Sequence, residues 1–269
     1  MVSAMWEVRR FEEIGSTNTY LREQGRAGAA AGLVAVADHQ SAGRGRLDRR
    51  WESPPGASLL VSVLLRPRFD PAELHLCTAA VALAAAQACR EMAGVDPVLK
   101  WPNDLLVGEA KLAGVLAEAE FSAGAVRFVV VGIGINVAWP GPPGVGGTCL
   151  DDLTGAPPLD RRALLDAVLG ALAPRVERLE SIEGRRAVAA EQRRCCATLG
   201  RPVRVETAAG TVAGLARDID DRGHLVLETA EGVRTVAAGD VVHLRANGGG
   251  SVHSPSTEAD SVGWGPAGG

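Results

Sequence analysis

Apolar and polar positions divide the chain into short segments. Residues 16–28 read as a helix opened by Ser16 or Thr17, either of which can cap it. Residues 33–37 make a short apolar strand, and 41–56, rich in glycine and arginine and without any period, predict a loop. Residues 57–65 alternate and run apolar, as a buried strand does. Pro71, at a favourable first-turn position, opens an alanine-rich helix to about Met92. Short strands follow at 98–101, 105–107, 112–118 and 126–137, with Gly108-Glu109 predicting a hairpin turn between the second and third. A Pro/Gly loop at 140–147 precedes helices at 161–180 and 184–198. The texture changes at Leu199. Strands at 203–207, 211–217, 224–228, 233–237 and 241–245, separated by Gly/Asp turns, predict a small SH3-like β-barrel. The expected domains are therefore 1–198 and 199–246, followed by a Gly/Ser/Pro-rich tail, 247–269, expected to be disordered. No internal repeat is visible, and no helix-turn-helix domain is expected ahead of the first motif.

The 46% apolar and 22% charged fractions are those of a soluble globular protein, and 269 residues suffice for a core without covalent staples. A net charge of −4 gives no general attraction to nucleic acid or acidic membranes, so binding of a polyanion has to be local. None of the five cysteines has C-x-x-C spacing, and the adjacent Cys195-Cys196 pair is a poor zinc or disulfide arrangement. Cys77 and Cys89, in an apolar helical stretch, read as buried thiols, which fits a reducing cytosol. Residues 1–14 carry Glu7, Glu12 and Glu13 and lack a signal-peptide core. The apolar stretches 76–86 and 128–139 are shorter than a membrane span, so a cytoplasmic location is expected. The histidines at 39, 75, 224, 243 and 253 are too scattered to argue a His/Cys metal cluster.

One compositional fact changes the picture. Of 28 basic residues only two are lysines, Lys100 and Lys111, and they flank a single motif. Lysine is a compact point charge that fits a crowded anionic site where a guanidinium would not. The motif, Lys100-Trp101-Pro102-Asn103-Asp104 followed by Lys111-Leu112-Ala113-Gly114-Val115-Leu116-Ala117-Glu118, places ammonium groups, a carboxamide and a carboxylate at one sheet end. That set suits a triphosphate and its Mg²⁺. Gly43-Arg44-Gly45-Arg46, ahead of Trp51-Glu52-Ser53-Pro54, is either an anion-binding loop or an exposed basic one. Gly132-Ile133-Gly134-Ile135-Asn136 puts glycines in a buried strand, where a ligand or another backbone comes close. Gly15-Ser16-Thr17-Asn18 offers hydroxyls and an amide to a ligand head or simply caps a helix, and His39 and Gln40 are similarly ambiguous.

In this order the segments resemble the biotin protein ligase family over about residues 11–245. The resemblance implies an α+β fold: a class II aminoacyl-tRNA synthetase-like catalytic domain with a mixed sheet, plus the small SH3-like C-terminal domain. It implies ATP-dependent ligation of biotin, through biotinyl-5′-AMP and with Mg²⁺, to a specific lysine of a biotin carboxyl carrier protein or domain. It assigns biotin contacts to Ser16, Thr17, Asn18, Gln40, Gly43, Arg44, Arg46, Lys111 and Gly114. It assigns ATP contacts to Arg46, Trp51, Asn103, Lys111, Asn136 and Asp240 or Arg245. Catalysis falls to Lys111, Arg46 and Asp104, the last orienting the acceptor amine or a metal. A monomer or weak homodimer that engages neither DNA nor membrane is expected, without the repressor role of bifunctional members. The family loop usually reads Gly-Arg-Gly-Arg-x-Gly-Arg. Asp48 replaces its third glycine here, which predicts altered loop order rather than lost chemistry. The rival readings are a lipoate-protein ligase and a non-catalytic ligand-binding protein that retains the pocket.

Overall fold

The computed structural model describes residues 5–47, 49–155, 158–207, 209–237 and 239–244. Asp48, Arg245 and the tail expected at 247–269 lie outside these residues. Strands β1 (Glu7–Ile14), β2 (Leu33–Gln40), β3 (Ser58–Leu65), β4 (Val98–Lys100), β5 (Asp104–Val107), β6 (Ala110–Ser122) and β7 (Ala125–Asn136) form a seven-stranded sheet. Its order is β1-β2-β3-β7-β6-β5-β4. β1 runs parallel to β2 and the other neighbours are antiparallel, so the sheet is mixed. The helices are α1 (Thr17–Arg26), α2 (His75–Ala93), α3 (Leu150–Thr154), α4 (Arg161–Leu179) and α5 (Ile182–Arg194).

Alternation along the central strands assigns the two faces of this sheet. Val34, Val36, Leu59, Val61, Val63, Val131 and Ile133 pack in one core with the alanines of α2 and the leucines of α4. Leu33, Ala35, Leu64, Phe128 and Val130 pack on the opposite face with Leu21 of α1. Because both faces are covered, every residue of β3 is buried. α1 covers only part of its face. At its N-terminal end the cross-strand neighbours are Ser62 opposite Gly132, under Thr17 and Asn18, and then Gly114 opposite Gly134, and this part of the sheet is the floor of a cavity.

Several boundaries differ from expectation for local reasons. Asp70 accepts a hydrogen bond from Ala72 N–H at 2.9 Å, and Pro71 starts a short 3-10 turn, so α2 begins only at His75. Residues 71–93 are long and apolar enough to cross a membrane, but most of that stretch is buried inside the protein, which makes it a core helix. α5 stops at Arg194 because residues 195–197 pair with β4: Leu99 N–H donates to Cys195 O and Ala197 N–H to Leu99 O, each at 2.8 Å. The buried Cys77 and Cys89 thiols are pushed up to about 12 by burial, which leaves them unreactive.

Strands β8 (Pro202–Thr207), β9 (Gly210–Ile219), β10 (Leu225–Thr229), β11 (Gly232–Val236) and β12 (Asp240–His243) form a second, antiparallel five-stranded sheet. Its core is Val203, Val205, Ala216, Ile219, Leu225, Leu227, Val236 and Val241, and the largest side chain in it comes from elsewhere: Trp101, in the turn after β4. The Trp101 indole donates to Gly223 O at 3.1 Å, and its backbone N–H donates to Thr198 Oγ1 at 3.0 Å. The Lys-Trp-Pro-Asn-Asp segment therefore anchors the C-terminal sheet and lines the cavity at once. Trp101→Ala is expected to destabilise the protein by about 3–5 kcal/mol, the usual cost of emptying a buried tryptophan site. Urea unfolding followed by circular dichroism measures it; a loss below ~1 kcal/mol would contradict this anchoring role.

Candidate active site

Ser16 caps α1, its hydroxyl accepting from Thr19 N–H at 3.4 Å, and this turns Thr17 and Asn18 inward. Thr17 donates to Gln40 Oε1 from both its backbone N–H, at 2.8 Å, and its hydroxyl, at 3.0 Å. The same hydroxyl lies 2.7 Å from Ser62 Oγ, which donates to Asn18 Oδ1 at 2.6 Å. Asn18 Nδ2 in turn donates to Leu116 O at 3.2 Å and Glu118 Oε2 at 2.9 Å. This relay, uncharged up to the Glu118 carboxylate on which it ends, has a steric requirement. A Cβ at Gly132 would collide with Asn18 Oδ1 and come within 3.0 Å of Ser62 Oγ. The cap and ligand-head readings of this segment are therefore compatible: Ser16 caps, and its neighbours face the cavity.

The Gly/Arg loop lies over the next part of the floor. Gly45 N–H donates to Arg49 O at 2.7 Å and Trp51 N–H to Gly43 O at 3.1 Å, folding the loop back on itself. The Trp51 indole rests on the glycine pair. A Cβ at Gly134 would overlap the indole, and one at Gly114 would approach it to 3.0 Å. The Trp51 ring N–H is buried without an acceptor among the described residues, a donor left for a ligand. Lys111 Nζ is 5.6 Å from the centroid of this ring and 2.8 Å from Asp104 Oδ1, an ion pair without hydrogen-bond geometry.

Arg46 reaches across to the C-terminal sheet, donating to Asn103 Oδ1 and Gly239 O, both at 2.8 Å, with Asp240 3.6 Å away. Burial lowers the Arg46 pKa, opposed by the Asp240 and Asp104 carboxylates. Asn103 is held by its own donation to Val115 O at 2.9 Å. Arg49 pairs with Asp240 at 2.8 Å, and Arg44 turns to Glu118 at 2.8 Å. Arg44, Arg46, Arg49, Trp51, Asn103, Lys111 and Asp240 line one cavity of about 1060 Å³. Its basic residues, Arg44, Arg46, Arg49, Arg50, Lys100, Lys111 and Arg201, outnumber its acidic ones, Asp104, Glu109 and Asp240. The protein is acidic overall, yet this cavity attracts anions.

Ser16, Thr17, Asn18, Gln40, Arg44, Arg46, Trp51, Asn103, Asp104, Lys111 and Gly114 thus meet in the cavity. Gly43 and Asn136 do not line it. Gly43 gives room for the Trp51 carbonyl, with which a Cβ would collide. The buried Asn136 amide donates to Thr148 O at 3.0 Å, Pro140 O at 3.2 Å and Lys111 O at 3.4 Å, so it fixes the backbone that carries Lys111. Ser62, Arg201 and His243 were not expected in the site, and Glu118, which ends the second half of the Lys-Trp-Pro-Asn-Asp motif, was given no role in it. Ser62 is a hydroxyl in the middle of a strand whose interior is otherwise apolar, and that was its only sequence signal. Among the described residues no group of three His, Cys, Asp or Glu could hold a metal ion.

The sheet, its glycine-floored cavity and the basic wall define a class that the family models recognise. Residues 11–136 match the Biotin/lipoate A/B protein ligase family, and residues 198–244 match the Biotin protein ligase C terminal domain. The biotin–[acetyl-CoA-carboxylase] ligase of Mycobacterium tuberculosis is 40% identical over 87% of each chain. The bifunctional ligase/repressor BirA of Escherichia coli is 32% identical over 87% of this chain and 72% of its own. Among solved structures, the Aquifex aeolicus biotin protein ligase in complex with biotin and ATP superimposes with a TM-score of 0.76 at 28% identity, covering 89% of this chain and 99% of that one. The chain belongs to the biotin protein ligase family.

Proposed function

We propose that this enzyme uses ATP to activate biotin as biotinyl-5′-AMP and then transfers the biotinyl group to a lysine of a biotin carboxyl carrier protein or domain. The observation that carries this is a single cavity with a neutral hydrogen-bond relay at one end and a basic wall at the other. Ser16, Thr17, Asn18, Gln40 and Ser62 suit the uncharged ureido head of biotin, and Leu60, Leu116 and Ile133 suit its apolar rings and chain. Arg44 and Gly114 flank that end, and Trp51 covers it. Lys111, Arg46 and Asn103 take the carboxylate and the α-phosphate, while Gly43 and Asn136 support the loop and strand that present them. We read 1–198 as the catalytic domain, related to class II synthetases, and 199–246 as an SH3-type barrel, a reading supported by the strand order and antiparallel pairing.

A biotin carboxylate oxygen attacks the α-phosphorus as the bond to pyrophosphate breaks. Two anions must approach, and negative charge grows on the α-phosphoryl oxygens. Lys111 and Arg46 offset that repulsion from fixed positions, where electrostatic stabilisation is most effective. Lys111 leaves Asp104 for the phosphate, which frees that carboxylate to orient the acceptor amine and receive its surplus proton. The amine attacks the acyl carbon and AMP departs. The acyl phosphate is prone to hydrolysis, so the Gly/Arg loop folded over it has a protective task. Mg²⁺ accompanies ATP as a screen for phosphate charge. Among the described residues no group of three carboxylate, imidazole or thiol side chains could hold the ion, and Asp104, once Lys111 has left it, would be the carboxylate available to it.

Incubation with ATP, biotin and a carrier domain is expected to add one biotinyl group to one lysine, read by intact-protein and peptide mass spectrometry. An unmodified carrier contradicts the proposal. Arg46→Gly removes the tether between the loop and Asn103 and Gly239. This variant is expected to release biotinyl-5′-AMP and label non-cognate lysines of added albumin. Strict retention of acceptor specificity would count against a sealing role for Arg46.

A further inference from the structure

The hydrogen positions in the relay between Gln40 and Glu118 follow from what its ends can accept. Glu118, on β6, decides them although it does not line the cavity. A carboxylate accepts and does not donate. Arg22 and Arg44 donate to its Oε1, at 3.0 and 2.8 Å, which leaves Oε2 to Asn18 at 2.9 Å. The Leu116 carbonyl, 3.2 Å from the same Asn18 nitrogen, is a second pure acceptor. The NH₂ end of Asn18 must therefore face β6, and its oxygen must face Ser62. That oxygen holds no hydrogen, so Ser62 spends its own on it, at 2.6 Å. The Thr17 hydroxyl hydrogen is also committed, to Gln40 Oε1 at 3.0 Å or to Ser62 Oγ at 2.7 Å. Gln40 keeps its oxygen toward Thr17, because that oxygen also takes the Thr17 backbone N–H. Both hydroxyl hydrogens are thus used inside the relay, and Thr17 and Ser62 turn only lone pairs to the cavity. Thr17, Asn18 and Ser62 are buried, which makes a mismatched donor or acceptor among them costly.

We infer that Glu118 is a positioning residue that fixes the direction of this relay, so that the cavity accepts ureido N–H groups and rejects a ring that presents acceptors in their place. The inference rests on the biotin reading proposed above and adds a residue that touches no substrate. With an amide at position 118, Arg22 and Arg44 hold its oxygen and its NH₂ group confronts that of Asn18. The other orientation is worse, because it sets the NH₂ group against two guanidiniums. Asn18 therefore turns over, offering its oxygen to the new amide and its nitrogen to Ser62. Ser62 then receives a hydrogen where it used to give one. Its own hydrogen becomes free for the cavity, where it opposes a ligand N–H and suits a ligand oxygen. What Glu118 contributes is an end of the relay that carries no hydrogen.

The test compares biotin with its cyclic carbonate, in which ring oxygens replace both ureido N–H groups, by competition calorimetry on the full-length chain. The parent is expected to prefer biotin by at least about 100-fold, since the carbonate leaves buried acceptors unmatched. Glu118→Gln is expected to cut that preference about tenfold, with biotin weakened and the carbonate bound at least as well as before. Arg22→Gln removes a charge beside the same carboxylate and leaves its Asn18 contact, so the parental preference should persist. NMR gives a reading that does not depend on affinity. The Asn18 amide protons should show cross-relaxation with the Glu118 methylenes in the parent and with the Ser62 methylene in Glu118→Gln. An unchanged preference in Glu118→Gln, an unturned Asn18 amide, or an equal loss in Arg22→Gln overturns the inference. If the parent prefers biotin and Glu118→Gln does so equally, Glu118 loses this role and the ligase reading stands. A parent that binds neither ligand contradicts both.

Discussion

Replacing Lys111 with alanine is expected to slow biotinyl-5′-AMP formation by at least about 100-fold, the usual effect of removing one preorganised charge from a site of developing negative charge. The side chain sits where the two halves of the cavity meet. Its ammonium is 2.8 Å from Asp104 and close to the Trp51 ring, and its backbone is tied to the buried Asn136. No other lysine except Lys100 exists in the chain to substitute for it. The side chain is partly exposed and contributes little to the core, so the melting temperature should stay close to that of the parent. Lys111→Arg should rescue poorly, because a planar guanidinium fork does not reproduce a compact point charge. Single-turnover adenylation in a quenched-flow apparatus measures the effect. An alanine variant that makes adenylate at the parental rate would remove Lys111 from the mechanism.

Gly132→Val acts at the other end. The added Cβ must take the place of the Asn18 carboxamide oxygen, which Ser62 donates to at 2.6 Å. Displacing Asn18 also breaks its donation to Leu116 O and Glu118, leaving buried polar groups without partners. At about 1–3 kcal/mol for each such group, biotin affinity should fall by ~100-fold or more. Valine suits a strand interior, so secondary structure should persist, as circular dichroism can check. Combining Gly132→Ala with Asn18→Ala removes the clash without restoring the hydrogen bonds. That double variant should recover only part of the lost melting temperature and still bind biotin weakly. Parental affinity in Gly132→Val, measured by calorimetry, would mean that the relay does not receive the ligand.

These two positions also illustrate what the sequence could and could not disclose. The scarcity of lysine marked Lys111 and Lys100 because composition is visible without any structure. The glycines of β7 were legible as a close approach, but what approaches Gly132 and Gly134 is a side chain from α1 and a tryptophan from a loop, both remote in sequence. Ser62 was hidden because β3 is buried on both faces, so the alternation that would separate its cavity side from its core side is erased. β1 was missed for the opposite reason. It is an edge strand whose residues are mostly exposed and charged, and it is held by backbone pairing to β2 rather than by an apolar period. Trp101 read as part of a nucleotide motif, yet its ring completes the core of the second sheet, a contact that only the tertiary fold creates. Lys100 and Arg201 meet at the cavity from remote parts of the chain, beyond the reach of any local pattern.

The most direct measurement is biotin-dependent exchange of labelled pyrophosphate into ATP, with lipoate run in parallel. Exchange requires that one cavity bind the acid and the nucleotide together and join them reversibly. Exchange with biotin and none with lipoate is the expected result. Exchange with lipoate alone would move the activity to the sister branch of the family, and no exchange with either acid would mean that the cavity binds without activating.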